Sequence, residues 1–191
     1  IMHNLRPAIL EQGLVAALQW MAQRFEKRTG IACSFRTSHE HLELPQGVPL
    51  VAYRAVQEAL TNVSKHAQAK RVTIDLSLAR GMLSIEVSDD GRGLSRDKLL
   101  NKARERGIPA PDSMTDQEVW GLIFAPGFST ADVVTDVSGR GVGMDVVKKN
   151  ITSLGGTVEI DSAEGYGMRV SVRLPLTLAI MDGMSVGVGE E

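Results

Sequence analysis

Three short segments carry the groups best suited to chemistry: Glu58-Ala59-Leu60-Thr61-Asn62, Asp89-Asp90-Gly91-Arg92-Gly93 and Gly139-Arg140-Gly141-Val142-Gly143. On a helix turning about 100° per residue, Glu58, Asn62 and Lys65 fall within an arc of roughly 60° that borders the apolar stripe. Asn62 offers an amide oxygen, and Mg²⁺ keeps waters and phosphates as its other ligands, so one protein oxygen is enough. Lys65 is placed to approach a phosphate, and Glu58 to orient a water or assist the amide. His66, one turn beyond Asn62, either caps the helix or touches the site. Taken alone, this segment reads as a surface helix with an i,i+4 polar pair. The two later segments reverse that reading.

Asp89 follows an alternating apolar run and is expected at a strand end. A carboxylate there accepts a hydrogen bond from an exocyclic amine such as that of adenine. Gly91, with no Cβ, lets a flat ring lie close to the backbone, and Gly93 adds a second bare position. Asp-Gly is equally a common turn dipeptide, so this segment is weak by itself. Gly139 to Gly143, followed by Met144, leads into an amphipathic helix. Bare amides at a helix start hold anions. The alternative is a flexible hinge. The spacing is G-x-G-x-G, which is not the dinucleotide fingerprint. No G-x-x-x-x-G-K-[ST] and no H-R-D loop occurs, which excludes a P-loop and a eukaryotic-type protein kinase. In this order and together, the three segments read as one nucleotide site.

The elements that must position them follow from periodicity. Leu14, Leu18, Met21 and Phe25 predict a helix over 11–28, ended by Gly30. Ile31, Cys33 and Phe35 alternate as a strand, with Cys33 buried. A second helix begins near Pro49 and buries Val51, Ala55, Val56, Ala59, Leu60 and Val63. Residues 72–78 and 83–87 form a hairpin turned at Arg80-Gly81. Two short helices are expected at 96–106 and 116–124, inside a long irregular excursion of the kind that is usually functional. A third long helix runs over 142–154 and stops at Gly155-Gly156. A last hairpin joins 158–160 to 170–174 through Glu164-Gly165-Tyr166-Gly167. The resulting fold class is α+β: a two-layer α/β sandwich, one mixed and mostly antiparallel sheet with helices on one face.

Bulk properties narrow the function classes. The chain has 191 residues, 43% apolar and only 4% aromatic, so its core rests on aliphatic side chains. A net charge of −2 argues against a surface built for nucleic acid. The single Cys33 excludes an intrachain disulfide. His3, His39 and His41 have no ligand spacing and read as surface residues. No apolar run is long enough to span a membrane. A cytoplasmic fragment of a larger protein is expected.

Together these residues resemble the ATP site shared by histidine kinases, gyrase B, Hsp90 and MutL, and most closely the catalytic domain of a bacterial histidine kinase. Asn62 is similar to the family's N box, Asp89-x-Gly91-x-Gly93 to its first glycine box and Phe124 to Thr130 to its F box. Gly139 to Gly143 is similar to the second glycine box. Gly165-Tyr166-Gly167 sits where a third glycine box belongs, with Tyr166 and Met168 departing from the usual Thr. From about residue 98 onward the chain resembles chemotaxis kinases of the CheA type. Its first 80 residues, with Leu5-Arg6-Pro7 and 57–67, resemble nitrate-sensor kinases. The two resemblances meet near 80–95, as in a hybrid or in a divergent member with features of both.

The resemblance implies Mg·ATP as the ligand, held between the second and third helices. Asp89 reads adenine, Asn62 holds Mg²⁺ and the Gly139–Gly143 amides steady the phosphates. Residues 94–138 form a lid, 1–10 are a linker remnant, 11–175 the ATP-binding domain and 176–191 a tail toward a further domain. The γ-phosphoryl group passes to a histidine on a separate dimerisation or phosphotransfer domain, and from there to a response regulator. The chain alone is therefore expected to be inactive, and no membrane contact is implied. The alternatives are an ATPase of the gyrase, Hsp90 or MutL kind, with Glu58 activating water, and a fold unit that binds nucleotide weakly or not at all.

Overall fold

The computed structural model describes residues 6–126, 128 and 143–176. Five strands form one sheet in the order β1-β2-β3-β5-β4. They are β1 Ala32–Thr37, β2 Arg71–Ala79, β3 Met82–Asp89, β4 Thr157–Ala163 and β5 Gly167–Pro175. β1 runs parallel to β2, and the other pairings are antiparallel. The helices are α1 Leu14–Thr29, α2 Val48–Asn62, α3 Arg96–Glu105, α4 Asp116–Gly121 and α5 Met144–Ser153. This is the expected two-layer α+β arrangement.

Strand register builds the core in rows. Ile74 of β2 faces Val87 of β3, which faces Val170 of β5, which faces Ile160 of β4. The next row is Leu76, Ile85, Val172 and Val158. All eight are buried, under Leu18, Phe25, Val56, Leu60, Val147 and Ile151 from the helices. The intervening positions face outward and carry Thr73, Asp75, Glu86, Arg169 and Glu159. Arg36–Asp75, Arg169–Asp161 and Arg173–Glu159 pair there in solvent, where screening and side-chain entropy leave them little net stabilisation.

Local signals explain the boundaries. Gly30, at φ +79°, ends α1, and its N–H bonds to the Glu26 carbonyl at 2.8 Å. Pro49 sits in the first turn of α2, where its missing N–H costs nothing. Ser95 caps α3, accepting from the Lys98 N–H, and Thr115 and Glu118 form a reciprocal capping box on α4. Cys33 is only half-buried, in contrast to the expected buried position. β1 is an edge strand, so Ile31, Cys33 and Phe35 are covered from one side only. Partial burial still pushes the thiol up to about 11.

The excursion after β3 holds the two short helices expected from sequence, α3 and α4, and is packed as far as Phe128. Leu100, Ala103, Ala110, Val119, Trp120, Leu122, Ile123, Phe124 and Phe128 are all buried and belong to the main core. α4 packs beside edge strand β4. The remainder of the expected lid lies outside the described residues.

Candidate functional site

A cavity of about 180 Å³ opens where the aliphatic rows of the sheet run out. Leu83, Ile85 and Val87 point inward along β3, and the next inward position is Asp89. A carboxylate therefore occupies a core register position. Its neighbours across the ladder are Val72 and Met168. Val87, Met168 and Val170 floor the cavity, and Ala59, Asn62, Val63 and His66 form the helix side. Burial pushes the Asp89 carboxyl above its ordinary value, opposed by the N–H of Gly91, which donates to Oδ1 at 2.7 Å. An ionised carboxylate has about four acceptor sites, so this bond does not exhaust it.

Asp90 faces the other way. Its Oδ1 accepts from the Lys70 and Arg71 N–H groups at 2.8 and 3.0 Å, which hold the carboxyl below its ordinary value. One carboxylate thus pins the start of β2, while its neighbour faces the cavity.

Helix α2 changes pitch at the site. After Asn62 the backbone passes into a π turn, Val63–Ala67. Such turns are frequent at functional sites and widen the helix. At the wider pitch Lys65 turns away from Asn62, while His66, one turn beyond Asn62, lines the cavity with it. Lys65 is exposed and is not among the lining residues. Glu58, half-buried on α2, is also outside the lining.

Arg92 ties the segments together. Its N–H donates to the Ala67 carbonyl and its Nε to the His66 carbonyl, both at 2.8 Å. Its own carbonyl accepts from the Gly165 N–H at 2.6 Å. The space beside the Gly91 Cα is taken by the Ala67 carbonyl, so any side chain there collides with backbone. Gly167, at φ +105°, packs the same way on the Asp89 carbonyl. Gly91, Gly93 and Gly167 therefore all face protein backbone, Gly93 against the Ala163 carbonyl, and Gly93 also lines the cavity. Ser162 completes the knot: it accepts from the Leu94 N–H at 2.9 Å and donates to the Gly167 carbonyl at 3.0 Å.

Opposite the sheet stands a second wall, of which sequence reasoning singled out only Phe128, through the F-box resemblance. Leu94, Leu99, Lys102, Ile123 and Phe128 line it. The Lys102 ammonium lies 5.1 Å from the centre of the Phe128 ring, and Arg106 Nη1 donates to the Phe128 carbonyl at 2.6 Å. A signal for Lys102 was present, since it stands three residues after Leu99 on one helix face. Gly143 is the buried N-cap of α5, and Met144 is buried behind it. Neither is among the lining residues. Gly139, Arg140, Gly141 and Val142 lie outside the described residues.

The arrangement can hold a flat, partly polar ring between aliphatic side chains, with a desolvated carboxylate at its edge. Beside it stand an amide, an imidazole and an ammonium. No group of three or more His, Cys, Asp or Glu side chains suited to a metal occurs among the described residues. Asn62 is a hard oxygen donor of the kind that serves one position of a Mg²⁺ shell completed by water and phosphate.

Comparison with known proteins points the same way. Residues 47–178 match the family described as histidine kinase-, DNA gyrase B- and HSP90-like ATPase. The chemotaxis protein CheA of Klebsiella aerogenes is 64% identical over 111 residues, which cover 58% of this chain and 17% of that protein. Its counterpart in Salmonella typhimurium is 61% identical, covering 58% and 16%. The chain thus spans about a sixth of the length of these relatives. A histidine kinase domain from a blue-light activated kinase of Erythrobacter litoralis superposes with a TM-score of 0.57 at 21% identity, covering 88% of this chain and 65% of the other. The catalytic domain of the histidine kinase ThkA gives 0.55 at 18%, covering 88% and 92%. These likenesses show the fold. Among the described residues no helix is long and apolar enough to cross a membrane.

Proposed function

The chain belongs to the family of histidine kinase-, DNA gyrase B- and HSP90-like ATPases, and on that premise we propose that it is the unit of a two-component histidine kinase that binds Mg·ATP and donates its γ-phosphoryl group. The single observation that carries this reading is that Asp89 and Asn62 line one cavity from two elements. Asp89 accepts the exocyclic amine of adenine, with Val87, Met168 and Val170 against the ring. Asn62 supplies one oxygen to Mg²⁺, which neutralises phosphate charge when bound. His66 and Lys102 stand on the cavity wall, where they meet the polar end of the ligand. Lys65 and the amides of Gly139 to Gly143 act on the phosphates, and Glu58 supports Asn62 from the preceding turn. Catalysis is then mostly positioning and charge stabilisation.

The nucleophile is an imidazole on another domain, so this chain is inactive alone, and its partners are a histidine-bearing domain and, downstream, a response regulator. The linker, lid and tail boundaries expected from sequence and a cytoplasmic setting belong to the same proposal. Calorimetry with Mg·ATP, followed by a turnover assay, tests it. Binding without steady hydrolysis, lost in Asn62→Ala for Mg·ATP but less so for metal-free ADP, is the expected result. No binding leaves a fold unit only, and multiple turnover favours the gyrase-like ATPase.

A further inference from the structure

The helical layer carries a second concavity, between α1 and α2. Trp20, Arg24 and Arg28 line one side of it, and Tyr53, Gln57 and Thr61 the other. Trp20 is 40% exposed, one of two large hydrophobic side chains so exposed among the described residues. The Arg24 guanidinium lies 4.9 Å from the Trp20 ring centre, and that of Arg28 lies 5.7 Å from the Phe25 ring centre. Stacked guanidinium groups cover apolar rings with their faces and keep N–H edges for hydrogen bonding. No carboxylate lines the groove. Among the described residues neither arginine belongs to an ion pair. Glu26, on the same helix, accepts instead from the Cys33 N–H at 2.8 Å. Two uncompensated cations beside an exposed indole run against the chain's net charge of −2.

We propose that this groove docks an acidic protein segment, which lays an apolar side chain beside Trp20 and sets carboxylates on Arg24 and Arg28. Trp, Tyr and Arg are the residue types that carry most of the binding energy at protein interfaces. Guanidinium groups pair with carboxylates through two parallel hydrogen bonds. The apolar share of the lining, from Met21, Phe25 and Leu60, fits a protein segment better than a polyphosphate strand. The groove also abuts the nucleotide cavity, because Leu60 and Thr61 immediately precede Asn62 on α2. A docked segment therefore sits on the opposite flank of the helix that carries Asn62. The docking stands apart from the nucleotide reading and needs no bound ATP.

Trp20 is its own reporter. The chain has two tryptophans, and Trp120 is only 5% exposed, so a Trp20→Phe control isolates the Trp20 emission. The full chain is titrated with two synthetic peptides of equal length, each with one Phe, one bearing four Glu and the other four Lys. The Glu peptide is expected to shift Trp20 emission saturably, with at least tenfold weaker binding in Arg24→Glu/Arg28→Glu and at high salt. ATP-analogue affinity, measured separately, stays unchanged in that variant. No response to the Glu peptide, or an equal response to the Lys peptide, overturns the proposal. An equal response to inorganic phosphate alone also overturns it, in favour of a plain anion site. A shift of Trp20 emission in the free chain on Glu190→Gln/Glu191→Gln would mean that the chain's own end fills the groove, which overturns it too.

Discussion

The two walls of the cavity are built by different physics. The sheet wall, with Asp89, Met168 and Val170, is set by ladder register and by backbone in contact with backbone. Gly91 and Gly167 let carbonyls approach where a Cβ would collide. The opposite wall, with Leu99, Lys102 and Phe128, hangs on arginines that reach for carbonyls. Arg96 donates to the Asp112 and Met114 carbonyls at 2.8 and 2.6 Å, Arg104 to that of Ala110 and Arg106 to that of Phe128. A wall held by backbone geometry has no slack. A wall held by long side chains yields in small steps. The difference teaches which half of such a site tolerates sequence change and which half moves.

The sharpest break is Gly167→Ala. At φ +105° and against the Asp89 carbonyl, the added Cβ forces a shift of both strands. Overpacking in a rigid core costs about 1–3 kcal/mol. Urea denaturation is expected to show a loss at the upper end of that range or beyond, and an unchanged midpoint would refute the account of this wall.

Next comes Asp89→Asn. A hydrogen bond to a charged group is worth roughly 1.5–3 kcal/mol, so ATP affinity should fall about tenfold or more. Stability should move the other way. Burial raises the Asp89 pKa in the folded state, so its charge opposes folding at neutral pH, and that penalty fades as pH falls through the raised value. Asp90 has the opposite sign: its depressed pKa contributes stability above the unfolded value that is lost as pH falls. Melting temperature at neutral pH should therefore rise, or hold, in Asp89→Asn and drop in Asp90→Asn. Equal changes in the two neighbours would erase the distinction drawn between them.

Arg106→Met acts on the yielding wall. Losing its bond to the Phe128 carbonyl should cost about 1 kcal/mol and weaken ATP binding a few-fold. Hydrogen exchange should quicken over α3 and leave β3 and β5 unaffected. Equal quickening in both walls would count against their independence. Smallest is Gly121→Ala in α4, where nothing lies within 4 Å of a new Cβ. Ala should stabilise by roughly 0.5–1 kcal/mol, read as a small rise in melting temperature.

The same contrast governs what the sequence could show. Alternation at Leu83, Ile85 and Val87 announced β3 and put Asp89 at its end, and the structure adds that the parity continues and turns Asp89 inward. Helix spacing announced α1, α2 and α5 within a few residues. Two things escaped. The π turn after Asn62 is braced by tertiary contacts from Arg92, so a constant pitch kept Lys65 in an arc with Asn62 from which the wider turn removes it, while His66 stays one turn beyond Asn62. The wall at Leu99, Lys102 and Phe128 depends on arginine-to-carbonyl bonds across many residues. These have no period, so sequence placed the two short helices of this segment without showing that they pack into the core. The expectation that bare glycines face the ligand met a similar limit. A glycine signals close approach without naming what approaches, and at Gly91 the neighbour is the Ala67 carbonyl.

Strand β3 is paired along its whole length on both sides, with β2 from the first half of the chain and β5 from the second. The seam between two subfamily resemblances that the sequence leads one to expect, near residues 80–95, falls on this strand. Its partners are joined to it by main-chain bonds that any residue can make, while its side chains need only alternate. Exchanging a neighbour here keeps the main-chain ladder, provided that the buried rows Ile74–Val87–Val170 and Leu76–Ile85–Val172 still fit. The centre of the sheet is thus the place where a joint in the sequence would have paired backbone on either side of it.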